Sequence, residues 1–357
     1  MNGENNILFR LIALMKSVQK SQMSHAEKDQ LWGSIMDSLE AKRLQSDRKR
    51  WFLAAASIML LLVAGAYYLA NQTGSFEKMA QVAGQTAISK DHASLILADH
   101  KVVDLESQNS KIEYSDQGRT ILIDSLQNVS QRLGDAEVAY NTLVVPFGKR
   151  SMITLLDGTK IWLNSGSKLV YPTQFSADSR EVFLEGQAYF DVAHQENNPF
   201  FVLTNDVKIK VLGTAFDVSA YLDDPKTQTV LVRGSVELST NKSGIFQNKK
   251  AKLTPGTMVT LEKSTDVLKS TRVQVDEYVS WKEGYLVLRS APLSEIIKKL
   301  SRFYKVEISL KDALIANETF SGTLDLADTA DQVLEAIAAT TSLNARFTER
   351  RFLLERK

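Results

Sequence analysis

Cysteine is absent from the 357 residues, histidine occurs four times and proline six times. Without thiols the chain makes no disulfide, no cysteine-ligated zinc or iron–sulfur site and no cysteine nucleophile, so redox sensing through thiols is excluded. His25, His92, His100 and His194 never fall at the i, i+4 spacing of a helical metal pair, and no G-x-S-x-G, Walker or dinucleotide-binding glycine pattern occurs. The expectation is a protein that is not an enzyme, with no cofactor and no metal. Excess charge is lacking as well. A formal charge of +1 offers no broad field to nucleic acid, so no direct nucleic-acid partner is expected. The length leaves room for two or three folded units at roughly 100 to 200 residues each.

What is present begins with one uncharged run. Residues 51–70, WFLAAASIMLLLVAGAYYLA, would rise about 30 Å as a helix, the thickness of a bilayer core. Trp51 and Phe52 stand at one end, Tyr67 and Tyr68 at the other. Lys42, Arg43, Arg48, Lys49 and Arg50 crowd the N-terminal side, whereas Lys78 stands alone on the far side. The pattern predicts one transmembrane helix in the inner (cytoplasmic) membrane, N-terminus cytoplasmic and C-terminus outside, with Arg48, Lys49, Arg50 and Trp51 flanking the membrane.

Ahead of that run, Ile7, Leu8, Leu11, Ile12, Leu14 and Met15 recur at near-helical spacing and give one apolar face. Ser24 and Glu27 have the spacing of a capping box, which predicts a second helix whose apolar positions are Leu31, Trp32, Ile35, Met36 and Leu39. A segment of about 50 residues rarely makes a core of its own, so these faces call for a partner.

After residue 90 short alternating runs replace the helical pattern, as in Val207, Ile209 and Val211 against Lys208 and Lys210. Asp157 and Gly158 sit between two such runs and predict a tight hairpin with positive φ angles. The stretch ASLILADHKVVDLES repeats the pattern of SMITLLDGTKIWLNS, pairing Leu97 with Leu155, Asp99 with Asp157 and Leu105 with Leu163.

The stretches VVPFGKRSMITLLDGTKIWLNSGSKLVYPTQF, REVFLEGQAYFDVAH, NPFFVLTNDVKIKVLGTAFDVSAY and VLVRGSVELS resemble the FecR family of anti-sigma factors over roughly residues 142–262. Pro146, Asp157, Gly158, Trp162, Asn164, Tyr171, Gly186, Tyr189, Gly213, Thr214 and Gly234 are among the family-like positions. Gln187 and Arg233 depart from the pattern, standing where the family more often has an acidic residue. Further on, Leu293, Ile296, Ile297, Leu300 and Phe303, then Ala330, Val333, Leu334 and Ile337, predict two helices alternating with strands such as VEISL and RFLLE. This part resembles the C-terminal domain of such regulators, similar in shape to the signalling domains of secretins and TonB-dependent receptors.

The resulting expectation is a mixed chain of five parts: a short all-α cytoplasmic sigma-binding segment (1–50), a single transmembrane helix (51–70), a linker (71–90), an all-β FecR-like periplasmic domain (91–275) and a small α+β C-terminal domain built as a βαβ repeat (281–357). The resemblance implies an anti-sigma factor. Its sigma-binding face would comprise Leu8, Leu11, Ile12, Met15, Leu31, Trp32, Ile35, Met36 and Leu39, and would hold an extracytoplasmic-function sigma factor. The signalling domain of an outer-membrane TonB-dependent receptor would deliver the signal, with a regulatory protease as a further partner. Some relatives are cut between a glycine and a threonine, which marks Gly213 and Thr214 as a candidate for self-cleavage. The alternative is a membrane-anchored periplasmic module that binds protein or glycan and has no sigma factor.

Overall fold

The computed structural model describes residues 16, 24–87, 91–131, 139–241, 249–341, 343–348 and 351–357, with side chains at all of these except 38–54, 66–74 and 116. The chain divides into two compact units, Met1–Thr73 and Gly74–Lys357. Helix α1 (His25–Gln85) is 61 residues long. It starts where the capping box predicts: the Ser24 amide donates to the Glu27 carboxylate at 3.0 Å, and the Glu27 amide donates to the Ser24 hydroxyl at 3.4 Å.

The expected membrane crossing does not hold. Among the described residues no helix is long and apolar enough to cross a membrane. The uncharged run at residues 51–70 does not stand as a separate element. It is embedded in one helix that also carries the charged stretches on both sides. The single-pass inner-membrane placement, with its cytoplasmic and periplasmic sides, is therefore not supported. The fold class is corrected with it. The protein is mostly β, with a helical N-terminal part in place of a separate all-α segment and spanning helix.

The largest sheet system of the second unit holds eighteen hydrogen-bonded strands among the described residues. They are β1 (Ala93–Ile96), β2 (Val102–Leu105), β3 (Asn109–Ser115), β4 (Thr120–Ile123), β5 (Gln127–Ser130), β6 (Tyr140–Val145), β7 (Arg150–Thr154), β8 (Lys160–Leu163) and β9 (Ser167–Pro172), followed by β10 (Arg180–Asp191), β11 (Phe200–Leu203), β12 (Val207–Val211), β13 (Ala215–Ala220), β14 (Lys226–Arg233), β15 (Val236–Thr240), β16 (Lys250–Leu253), β17 (Thr257–Glu262) and β18 (Val267–Arg272). They make two layers. The first runs β2-β1-β6-β9-β10-β11-β12-β15-β16 and the second β5-β4-β3-β7-β8-β10-β13-β14-β17-β18.

Strand β10 belongs to both layers. Phe183, Leu184 and Glu185 pair with β9 in the first, and Gly186 to Asp191 pair with β13 in the second. The handover falls at Gly186, whose φ is +103° and where a Cβ would lie 2.7 Å from the Ser167 Cα, so only glycine fits. Because side chains alternate along a strand, β10 turns Val182, Leu184, Ala188 and Phe190 into the sandwich core while Phe183 and Tyr189 point outward.

Both outward faces are covered. The last turns of α1 lie on the first layer, where Met79 and Ala83 meet Val170, Phe183 and Leu203. On the second layer lies the C-terminal region: helix α2 (Asp276–Val279), β19 (Tyr285–Pro292), α3 (Leu293–Tyr304), β20 (Glu307–Leu310), β21 (Thr319–Asp325), α4 (Ala330–Thr340), β22 (Leu343–Thr348) and β23 (Arg351–Arg356). Both predicted helices form, burying Leu293, Ile296, Ile297 and Leu300, then Val333, Leu334 and Ile337. The βαβ expectation is corrected. β19 pairs antiparallel with β21, while β20 and β22 flank β23 in a separate three-stranded sheet, so no helix here connects two strands of one sheet. Helical and strand periodicity fixes the order of elements, but pairing depends on contacts distant in sequence.

Candidate functional site

Three places carry the residues singled out from sequence. The first is the N-terminal helical face. Leu8, Leu11, Ile12 and Met15 lie outside the described residues, and Leu39, Arg48, Lys49, Arg50 and Trp51 are positions of α1 whose side chains are not described. Leu31 and Ile35 are half-buried, while Trp32 and Met36, one turn apart, are 47% and 57% exposed. Together they leave a small apolar spot exposed on this face of the helix.

The second place is the seam between the second layer and the C-terminal region. Asp217 of β13 is buried, and its carboxylate accepts from the Gln187 amide at 3.0 Å and from the Trp281 indole N–H at 3.0 Å. Gln187 in turn accepts from the Asn164 amide at 2.9 Å. Gln187 thus links two family-like stretches to Trp281, whereas a carboxylate at 187 would face Asp217 as a like charge. Further along, Arg302 of α3 donates to both Asp223 and Asp224 at 2.8–2.9 Å and stacks 3.7 Å over the Tyr221 ring. Arg150 reaches the Trp281 carbonyl at 2.6 Å. Gln187 and Asn164 stand out in the sequence through the family resemblance, whereas Asp217, Trp281, Asp223, Asp224 and Arg302 carry no local pattern, because their partners lie tens of residues apart. The other departure, Arg233, makes an exposed ion pair with Asp191 at 2.9 Å.

Burial pushes the Asp217 carboxyl up to about 7, although the two donors and the nearby Lys299 ammonium pull it down. The folded state therefore holds this proton more tightly than the unfolded chain, where the value is 3.8. Its stabilising contribution is complete below about pH 4 and is lost as pH rises through about 7, a span of at most ~4 kcal/mol. Thermal unfolding of the parent and of Asp217→Asn is expected to diverge between pH 5 and pH 8, the parent losing more stability as pH rises. Parallel pH profiles for the two would show that Asp217 does not hold the extra proton.

The third place is the bond between Gly213 and Thr214. Thr214 is buried and its hydroxyl donates to the Ser235 carbonyl at 3.0 Å. A Cβ on Gly213 would lie 2.6 Å from the His194 Cα and 2.5 Å from its Nδ1, so glycine is required here for close packing. Gly234, at φ +93°, packs against Gly213 and Thr214.

The FecR protein family matches residues 141–237, and the FecR C-terminal family matches residues 285–354. No curated protein matches the chain. Two crystal structures, each of a Parabacteroides distasonis ATCC 8503 protein assigned as an anti-sigma factor, at 1.65 and 2.50 Å resolution, are 30% identical to it with a TM-score of 0.55. They cover 60% and 61% of this chain, and 99% of their own length is matched. With both family regions on one sandwich and its C-terminal layer, and a relative matched over nearly its whole length, the chain belongs to the FecR family of anti-sigma factors.

Proposed function

We propose that this anti-sigma factor holds an extracytoplasmic-function sigma factor through its N-terminal segment, residues 1–50, and gives it up when the folded region beyond residue 90 receives a signal. The observation that supports this most directly is the exposed pair Trp32 and Met36 on α1, flanked by half-buried Leu31 and Ile35. Holding the sigma factor would hide the surface it needs for polymerase, and release requires a signal that changes the affinity. The FecR-like domain, 91–275, and the C-terminal domain, 281–357, form the receiving side. Its partner is the signalling domain of a TonB-dependent receptor, and strand β22, at the edge of its sheet with Phe347 exposed, offers a place for it. A regulatory protease completes the relay.

The test is capture from host lysate by the tagged full chain, with sigma factors identified by mass spectrometry. One extracytoplasmic-function sigma factor, enriched over the housekeeping one, is the expected result. Capture of envelope proteins or glycan with no sigma factor would replace this reading by the binding-module alternative.

Self-cleavage between Gly213 and Thr214 would require the Thr214 hydroxyl to leave the Ser235 carbonyl and turn onto the Gly213 carbonyl. The buried geometry favours a packing role for both residues. Accordingly, Thr214→Ala is expected to give the same fragments as the parent on a blot. Loss of one fragment in that variant would establish self-processing instead.

A further inference from the structure

Strand β16 closes the first layer, and among the described residues its one ladder is with β15. The bonded pair at its start sets the phase of that ladder. The Thr240 amide donates to the Lys249 carbonyl at 3.1 Å, so by antiparallel alternation the backbones of Ala251 and Leu253 face β15 while those of Lys250 and Lys252 face the open edge. Side chains alternate as well. Ala251 and Leu253 turn into the sandwich, whereas Lys250 and Lys252 stand exposed on the outer face.

The register carries this pattern across β15 to β12. Lys208, Ser239 and Lys250 form one row on the outer face, and Lys210, Glu237 and Lys252 form the next. Four ammonium groups thus surround one carboxylate. Glu237 lies 3.9 Å from Lys250, while Lys210 and Lys252 make no ion pair among the described residues. Pairing two copies of β16 edge to edge would set lysine against lysine, so a second copy of this chain is disfavoured. An acidic strand meets the opposite condition. On the inward side, Ala251 and Leu268 of β18, the last strand of the second layer on the same flank, are only half-buried against the core.

We propose that the free edge of β16 binds an extended segment of a partner protein in which acidic residues alternate with apolar ones, added to the first layer as a further strand. Its backbone bonds to the outward N–H and C=O groups of Lys250 and Lys252. Its carboxylates, two residues and so about 7 Å apart, face the two ammonium groups, and its apolar residues cover Ala251 and Leu268. Lys208 and Lys210 stand two strands further in and strengthen the field that draws the acidic segment to the edge. This surface is separate from the N-terminal face of α1 and from the edge of β22.

The test is fluorescence anisotropy of a labelled peptide of alternating glutamate and valine, titrated with the purified full chain, beside a peptide with the same residues arranged in two blocks. The alternating peptide is expected to bind about tenfold tighter than the blocked one. Lys250→Glu combined with Lys252→Glu is expected to weaken it by about tenfold, since both cross-strand pairs become like-charged. Lys252→Pro removes an outward N–H and leaves the bonds to β15 in place, and it is expected to weaken binding several-fold. Both lysines are exposed, so the variants should keep the unfolding curve of the parent; if the proline variant does not, the double glutamate variant decides. Absence of binding, equal binding of the two peptides, or binding unchanged in the double glutamate variant would overturn the proposal.

Discussion

Replacing Arg180 by alanine is expected to cost about 3–5 kcal/mol of stability, the range for removing one partner of a buried ion pair. Arg180 opens β10 and is 1% exposed; its guanidinium donates to the Asp157 carboxylate at 2.7 Å, to the Ala193 carbonyl at 2.9 Å and to the Asn198 carbonyl at 3.0 Å. The same guanidinium stacks 5.3 Å from the Phe200 ring centre. Alanine would leave the Asp157 carboxylate buried without its cation and strip the half-buried Ala193 and Asn198 carbonyls of their donor. A loss near 4 kcal/mol lowers the unfolding temperature of a unit this size by about 10 °C. One guanidinium nitrogen, Nη2, is buried with no partner among the described residues, so the native arrangement is not fully satisfied either. Arg180→Met combined with Asp157→Asn is therefore expected to recover more than half of the loss, since removing both charges avoids an unpaired one. A double variant no more stable than Arg180→Ala would show that packing, not charge, dominates.

Asp157 also shows how far the sequence could be read. The hairpin between β7 and β8 forms where Asp157 and Gly158 predict it, but only Gly158 has a positive φ, +84°. Asp157 instead accepts from the Thr159 amide at 3.0 Å and from the Thr159 hydroxyl at 2.7 Å, and it anchors Arg180. The faint repeat is a real geometric one. Leu97 and Leu155 each donate at 2.9 Å to the carbonyl four residues on, and the amides of His100 and Gly158 bond back to them at 2.8 and 3.0 Å. His100 takes up the positive φ, +65°, at the place where the second copy has glycine. Local patterns of this kind, like the helical stripes of α3 and α4, lie within a dozen residues and are legible for that reason.

The features that escaped reading are those made at a distance. Nothing around Gly186 announces that one strand serves two layers, because the requirement comes from the approach of Ser167. The chain from Asn164 through Gln187 and Asp217 to Trp281 joins four separate stretches of sequence. The apolar run at residues 51–70 was misleading in the opposite way. A hydropathy window reads twenty residues by themselves, whereas the structure places them inside a 61-residue helix, and among the described residues no helix is long and apolar enough to cross a membrane.

Trp32→Ala is expected to weaken sigma-factor capture by the full chain about 30-fold, and Met36→Ala about fivefold. A tryptophan at the centre of a helical interface commonly contributes 2 kcal/mol or more, and each ~1.4 kcal/mol is tenfold in affinity. Both side chains are exposed on α1, so neither substitution removes a core contact, and each should change stability by less than ~0.5 kcal/mol. That separation gives the comparison its force: lost capture with an unchanged unfolding curve assigns the loss to the interface. Leu31 and Ile35 are half-buried, and substitutions there would mix binding with folding. If both exposed variants hold the sigma factor as tightly as the parent, the binding face is not on α1, and residues 1–20, with Leu8, Leu11, Ile12 and Met15, become the segment to test.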